Sequence, residues 1–510
     1  MNVSAAPRTP LSFRSLMAHP LAWLLAIALA HVVVRVAVSP ALKWDEAEQM
    51  LWSQELALGY GAQPPLYTWL QWLTNQVFGP SVLALSLLKH MLLALTYTLM
   101  WLAGRELLGQ RGAWWASASM LLFPALGWDS VRDQTHSILV TAMACGAWWL
   151  LLRIVKRPRP VDFALLGLVC GVGLLAKYSF ALVIGVMLVA ALSVPQARGA
   201  LLARGWWWVL IVGGLVVLPH AVWLASHLQE ATAGTLAKME IQPERALGKG
   251  LLALLGNLTG MLALWVLVAL AVFRSAWWRW PLAPAAPWAQ QIFVRYVLLA
   301  LLALLGMVLA AGVTHFKGRW VLPLLCMVPL AVFTARPELQ HHPRAGRYSA
   351  AVVCIALLFL LAAGLRPWIT GLRGHPDELN HPVVELGHAL RQAGYDGVSP
   401  IIAADHMLAG ALLTRFPRAP VNACMSGKDV ATCVASHLAR ARTAGQGWLL
   451  ISREDRLEPG WWASASTGRP ALAMQSIRLP FHKVRPGVPP AHYQFVWQPA
   501  GTAGASTRDP

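Results

Sequence analysis

The sequence predicts a polytopic α-helical membrane protein with a small α/β domain after its last apolar segment. Three observations carry that expectation. Hydrophobic residues fill 57% of 510 positions, charged residues only 12%, and mean hydropathy is +0.54, far from the balance of a soluble chain. Most apolar residues fall in runs close to the ~20 residues a helix needs to cross a bilayer core. Near residue 368 the composition shifts, and no later run is long enough to span.

Taken in order, the runs place spans at 21–39, 81–103, 112–127, 136–152, 162–176, 179–194, 206–225, 251–273, 292–313, 320–335 and 349–367, about eleven in all. Arg8 and Arg14 precede the first run as in a secretory signal, but cleavage after Ser39 would leave Pro40 at the new terminus, so an uncleaved helix is expected. With the N-terminus inside, the inner loops collect Arg105 and Arg111; Arg153, Lys156, Arg157 and Arg159; Arg198 and Arg204; Arg274 and Arg279; and Arg336, Arg344 and Arg347. Cytoplasmic loops are enriched in such residues, so the net charge of +19 reports orientation, and a nucleic-acid partner is rejected. The outer face receives the loop 40–80, the turn Asp129 to Asp133, Lys177-Tyr178, the loop 226–250 and the turn His315 to Arg319.

Residues 1–367 thus form the membrane domain and 368–510 an outer-face domain. In the latter, 401–403 and 448–451 read as buried strands, 383–393 and 405–415 as amphipathic helices, and the tail as disordered. Cys145, Cys170, Cys326 and Cys354 sit in apolar runs as small hydrophobes. Cys424 and Cys433 lie in the polar part and could pair in an oxidising compartment.

Chemistry is expected where acid gathers against the general scarcity of charge. The first outer loop holds Asp45, Glu46, Glu48 and Glu55, then the stiff Gln63-Pro64-Pro65 turn. Asp45 and Glu48 have capping-box spacing for a helix over 46–58, which explains that pair but not Glu46. Trp52, Leu56, Tyr67, Trp69 and Trp72 suit the headgroup level. Asp129, Arg132 and Asp133 bring a second pair of acids to the same face; read simply, they are a solvated turn with a local ion pair. Lys89, with His90 beside it, lies deep in a span, where a cation needs a partner or a polar cavity. Lys177, Lys317 and Arg319 are each explained by snorkelling, but together they suit an anionic headgroup such as a phosphate. Arg35 and Arg295 read as structural partners with no assigned role.

In Asp45-Glu46, Gln63-Pro64-Pro65-Leu66, Lys89, Arg132-Asp133, Gly173 to Tyr178 and Lys317 to Pro323, the chain resembles the lipid-linked-sugar glycosyltransferases of the GT-C class, over residues 20–335. The branch in question holds bacterial aminoarabinose transferases, lipid A galacturonosyltransferases and protein O-mannosyltransferases. Trp320 departs from it, standing where the aminoarabinose branch usually has Tyr. The resemblance implies a GT-C-like fold in the bacterial inner membrane with its site on the periplasmic face, where membrane lipids and a polyprenyl-phosphate-linked sugar donor meet an acceptor such as lipid A. It implies catalytic roles for Asp45, Glu46 and Asp133. The donor phosphate is expected at Lys89, Lys177, Tyr178, Lys317, Arg319 and Trp320, with Arg132, Gln63 and His315 positioning substrate. Transfer would be an inverting displacement with polyprenyl phosphate leaving. A divalent cation could be held by Asp45, Glu46, Asp133 and His315, although no compact ligand spacing demands one. Rival readings are a protein O-glycosyltransferase, a flippase for a lipid-linked sugar, and a structural membrane subunit; charges gathered at one face favour an enzyme over a transporter.

Overall fold

The computed structural model describes residues 20–278, 284–425, 429–467 and 473–501. Arg8, Arg14, Arg279 and the tail expected to be disordered lie outside the described residues.

Every expected span is helical, but not every one is a single long helix. Among the described residues seven helices are long and apolar enough to cross a membrane: Val82–Leu107, His136–Lys156, Trp207–Ser226, Leu247–Phe273, Pro287–Leu309, Gly318–Ala335 and Ala345–Leu372. Phe180–Leu192 and Pro195–Leu201, bent by 114°, make an eighth span if taken together, while Ala22–Val38 and Pro160–Ala176 are apolar but shorter. Length and composition therefore support fewer spans than the expected eleven. The run at 112–127 departs most: a helix Gln110–Ala118 passes into a tight turn Ser119–Leu122 and then a wide turn Ala125–Asp129. Pro124 lies at this break, and a proline supplies no backbone N–H to continue a helix. The break delivers Asp129 to Asp133 to one end of the bundle.

The basic turns assigned to the inner face bond to one another. Arg111 donates to the Gln340 carbonyl at 2.8 Å, Lys156 meets Glu106 at 2.9 Å, Arg153 meets the buried Asp162 at 2.9 Å, and Arg336 donates to the Ala276 carbonyl at 3.1 Å. Arg295, unassigned from sequence, donates to the carbonyl and hydroxyl of Ser193. The acidic loops meet at the opposite end.

There the C-terminal part forms a five-stranded sheet in the order β2-β1-β3-β5-β4. The strands are β1 (Ile401–Ala403), β2 (Val421–Ala423), β3 (Trp448–Arg453), β4 (Gln475–Leu479) and β5 (Ala491–Gln498). β1 is parallel to β2 and β3, whereas β5 runs antiparallel to both β3 and β4. The expected strands and helices are present, the helices as Val383–Gln392 and His406–Arg415. Cys424 and Cys433 form a disulfide with their Cα atoms 5.8 Å apart.

This sheet domain is docked on the first outer loop. Leu42, Ala47 and Met50 share one apolar core with Leu386, Met407 and Leu412. The Gln54 amide donates to the Val421 carbonyl at 2.8 Å and accepts from the Val421 N–H at 3.0 Å, in the manner of a neighbouring strand. Lys43 pairs with Glu378 at 2.7 Å, and Ser39 donates to the Leu379 carbonyl at 2.6 Å. Gly410 permits a close approach to the first loop: a Cβ there would lie 2.7 Å from the Ala47 Cα. Gly410→Val is expected to force these backbones apart and cost about 1–3 kcal/mol. The check is the melting temperature of the detergent-solubilised protein together with proteolysis of the first loop; an unchanged melt and cleavage pattern would refute the docking.

Candidate active site

The site is built on one buried carboxylate. Glu46, in the helix Trp44–Trp52, is 1% exposed. Its two oxygens accept from Arg35 at 2.6 and 3.2 Å, from Lys89 at 3.0 Å and from the Lys43 backbone N–H at 3.1 Å. Burial by itself would raise this carboxyl, but the charges of Arg35 and Lys89 overcome it and hold Glu46 well below the usual carboxylate range. Arg35 also donates to the carbonyls of Ser39 and Ala41, both at 2.8 Å. The turn leading into the loop is therefore wrapped around the same guanidinium.

Asp45, one residue before this anchor, points elsewhere. Its N–H donates to Asp133 Oδ1 at 2.9 Å, joining the two acidic loops, and its carboxylate takes a 2.9 Å bond from Arg319. Burial, then the charges of Asp45 and Glu46, push the Asp133 carboxyl up to about 7. Asp45 and Asp133 line a cavity of about 420 Å³ with Lys177, Tyr178, Lys317, Arg319, Trp320 and Gln63. Leu182, Leu304, Met307, Phe316 and Leu324 give the cavity an apolar part. Lys177 donates to Ser137 at 3.1 Å. Tyr178 is oriented by His220 at 3.0 Å, and His220 in turn meets the Leu58 carbonyl at 2.6 Å. A second cavity, about 270 Å³ and polar, lies against the same wall: it shares Asp133, Lys317 and Arg319 and adds Asp129, Arg132 and Gln134.

Several expectations are corrected by this geometry. Lys89, expected at the donor phosphate, is 1% exposed and lies off the wall of the large cavity, because Glu46 already supplies the partner that a buried cation requires. Glu46 is for the same reason an anchor beneath Asp45, away from the cavity. His315 also lies off that wall, its ring edge-on to Trp320 at 6.2 Å. Arg132 lines the polar cavity and not the larger one. The first-loop helix runs over Trp44–Trp52, and the carboxylate that caps it is Glu46, accepting from the Lys43 N–H, rather than Asp45 with Glu48. Tyr67, expected at the headgroup level, is fully buried against His136. Thr135, His136 and Ser137 line the cavity and were missed; three polar residues directly after Asp133, opening an apolar span, were the available signal. The four residues considered for a divalent cation do not fit one, since Glu46 is engaged by two cations and His315 stands apart. Among the described residues the group with metal-ligand spacing is Cys424, Cys433 and His437, whose two sulfurs are joined to each other.

The fold is that of the GT-C glycosyltransferases. ArnT from Cupriavidus metallidurans superposes with a TM-score of 0.62 in its apo state, at 14% identity, over 94% of this chain and 98% of that one. The same protein bound to undecaprenyl phosphate gives 0.58, at 14% identity, over 92% and 97%. Residues 62–223 match the family model described as dolichyl-phosphate-mannose-protein mannosyltransferase. The lipopolysaccharide core galacturonosyltransferase RgtB of Rhizobium johnstonii is 33% identical over 416 residues, 79% of this chain and 83% of the relative. The chain belongs to the GT-C glycosyltransferase family that includes this relative, and it is a membrane glycosyltransferase.

Two measurements test the electrostatics. Glu46→Ala leaves two buried cations without their carboxylate and is expected to cost about 3–5 kcal/mol, read as loss of folded protein in membranes; normal yield and melting temperature would refute the anchor. Asp133 has a raised folded pKa, so it favours the folded state most at low pH, and that contribution is lost as pH rises through about 7. The melting temperature should therefore fall between pH 5 and pH 9 more steeply in the wild type than in Asp133→Asn. Parallel profiles would contradict the shift.

Proposed function

We propose that the protein transfers a uronic-acid sugar from polyprenyl phosphate to lipopolysaccharide, in its core or lipid A part, at the periplasmic face of a bacterial inner membrane. The observation that carries this reading is a single cavity in which an acid pair, Asp45 and Asp133, faces Lys177, Lys317 and Arg319 above an apolar chamber. The apolar part suits the prenyl chain and the ammonium groups of Lys177 and Lys317 suit its phosphate. Asp45 and Asp133 stand where an acceptor hydroxyl would approach the anomeric carbon. The galacturonosyl activity in the name of RgtB supports the sugar class, and the undecaprenyl phosphate held by ArnT supports the carrier. The Cys424–Cys433 disulfide supports an oxidising compartment for the soluble domain.

In the proposed reaction the acceptor hydroxyl attacks the anomeric carbon with inversion, and the glycosyl–phosphate bond breaks. Asp45 takes the hydroxyl proton, with Arg319 fixing its carboxylate and Asp133 fixing its backbone. Polyprenyl phosphate departs carrying charge that Lys177 and Lys317 stabilise, so no separate general acid is required. Tyr178, Trp320 and Gln63 shape the wall around the sugar and phosphate.

Mass spectrometry of lipopolysaccharide from cells with the intact gene, a deletion and Asp45→Asn tests the proposal. A uronic-acid mass increment present only with the intact gene is expected; identical profiles would sink it. Lys317→Ala should raise the KM for the donor about tenfold or more while leaving the KM for the acceptor near its wild-type value. An effect confined to the acceptor would reverse the assignment.

A further inference from the structure

The polar cavity next to the acid pair has no task in the transfer of an uncharged sugar. It is walled by three cations, Arg132, Lys317 and Arg319, against two acids, Asp129 and Asp133. Arg319 is committed to Asp45 at 2.9 Å, and Lys317 also faces the larger cavity. Arg132 differs from both. It lines the polar cavity and not the larger one, its guanidinium lies over the Trp128 ring at 5.2 Å, and its nearest acid, Asp129, is 4.0 Å away. Its Nε is buried with no hydrogen-bond partner. A guanidinium held by an aromatic face presents a planar fork, which matches a carboxylate in two parallel hydrogen bonds.

Resting on the transferase reading above, we propose that Arg132 and the polar cavity form a recognition site for a sugar carboxylate, making Arg132 the residue that selects an acidic sugar. The cavity shares Asp133, Lys317 and Arg319 with the donor chamber, so a sugar at the reacting centre reaches both. Burial already disfavours the charge on Arg132, with Arg366 adding to this, so an incoming carboxylate gains more there than at an exposed cation. The carboxylate can belong to the transferred sugar or to an acidic sugar of the acceptor; the two sources share this chemistry and separate by experiment.

The test uses full-length protein in the Asp45→Asn background, so that binding is read without turnover, and compares it with the same protein carrying Arg132→Gln or Arg132→Lys. Probes are a polyprenyl-phosphate uronic acid, the polyprenyl-phosphate hexose with a hydroxymethyl in place of the carboxyl, and glycolipid acceptors with and without a carboxylated sugar. The expected result is a fall of about 10- to 100-fold in the acidic-to-neutral binding ratio with Arg132→Gln, partly restored by Arg132→Lys. A fall on the donor axis assigns the carboxylate to the transferred sugar, and a fall on the acceptor axis assigns it to the acceptor. Equal weakening of all probes, or none, overturns the proposal. Loss of activity in Asp45→Asn together with an acidic-to-neutral ratio left unchanged by Arg132→Gln would leave the transferase reading standing while the carboxylate site fell.

Discussion

Charge is scarce in this chain, and where it is buried it must be matched. Glu46 meets two cations from different helices, Arg35 in Pro20–Val38 and Lys89 in Val82–Leu107, both within 3.2 Å. Removing ions from water costs several kcal/mol each, so each partner is tolerable only because the others are present. Such a triad adds little to net stability against an apolar alternative. What it provides is register: the first helix, the second span and the loop between them can be joined in one way. Because Asp45 precedes Glu46 on the same helical turn, that register fixes a carboxylate facing Asp133 and Arg319.

The division of labour between adjacent acids follows from their surroundings. Glu46 is enclosed by cations and stays ionised, whereas Asp133 is enclosed by protein and by two other acids, which favours its proton. Asp45 sits between these extremes with Arg319 as its counter-ion. One wall thus offers a permanent negative charge behind it, a proton-binding group beside it and cations on either side. The two cavities are the two faces of that wall, one part apolar and the other polar.

Much of this was legible in the sequence. Composition and run length gave the helical membrane class, basic loops separated the two ends, and the acids of 40–80 and 129–133 pointed to the cavity that Asp45 and Asp133 line. Three things were not legible, each for a physical reason. Lys89 could be seen to need a partner, but whether a ligand or Glu46 filled that need depends on a side chain 43 residues away. The run 112–127 reads as one apolar stretch because hydropathy does not register the hydrogen bond lost at Pro124. The docking of the sheet domain onto the first loop rests on contacts across 367 residues, as between Gln54 and Val421, which no local pattern encodes.

That docking bears on how the protein comes into being. Asp45, Asp133, Lys177 and Arg319 all precede residue 320, and a ribosome delivers them well before the strands that support the first loop. Until Val421 emerges, Gln54 has no strand edge to hold, and Ala47 and Met50 remain uncovered by Met407 and Leu412. The nascent membrane domain therefore carries these four side chains while lacking the surface that sets the first loop. Maturation of the site is tied to completion of the C-terminal segment, and a chain arrested before that segment folds has its acids and cations in place without the support of their loop.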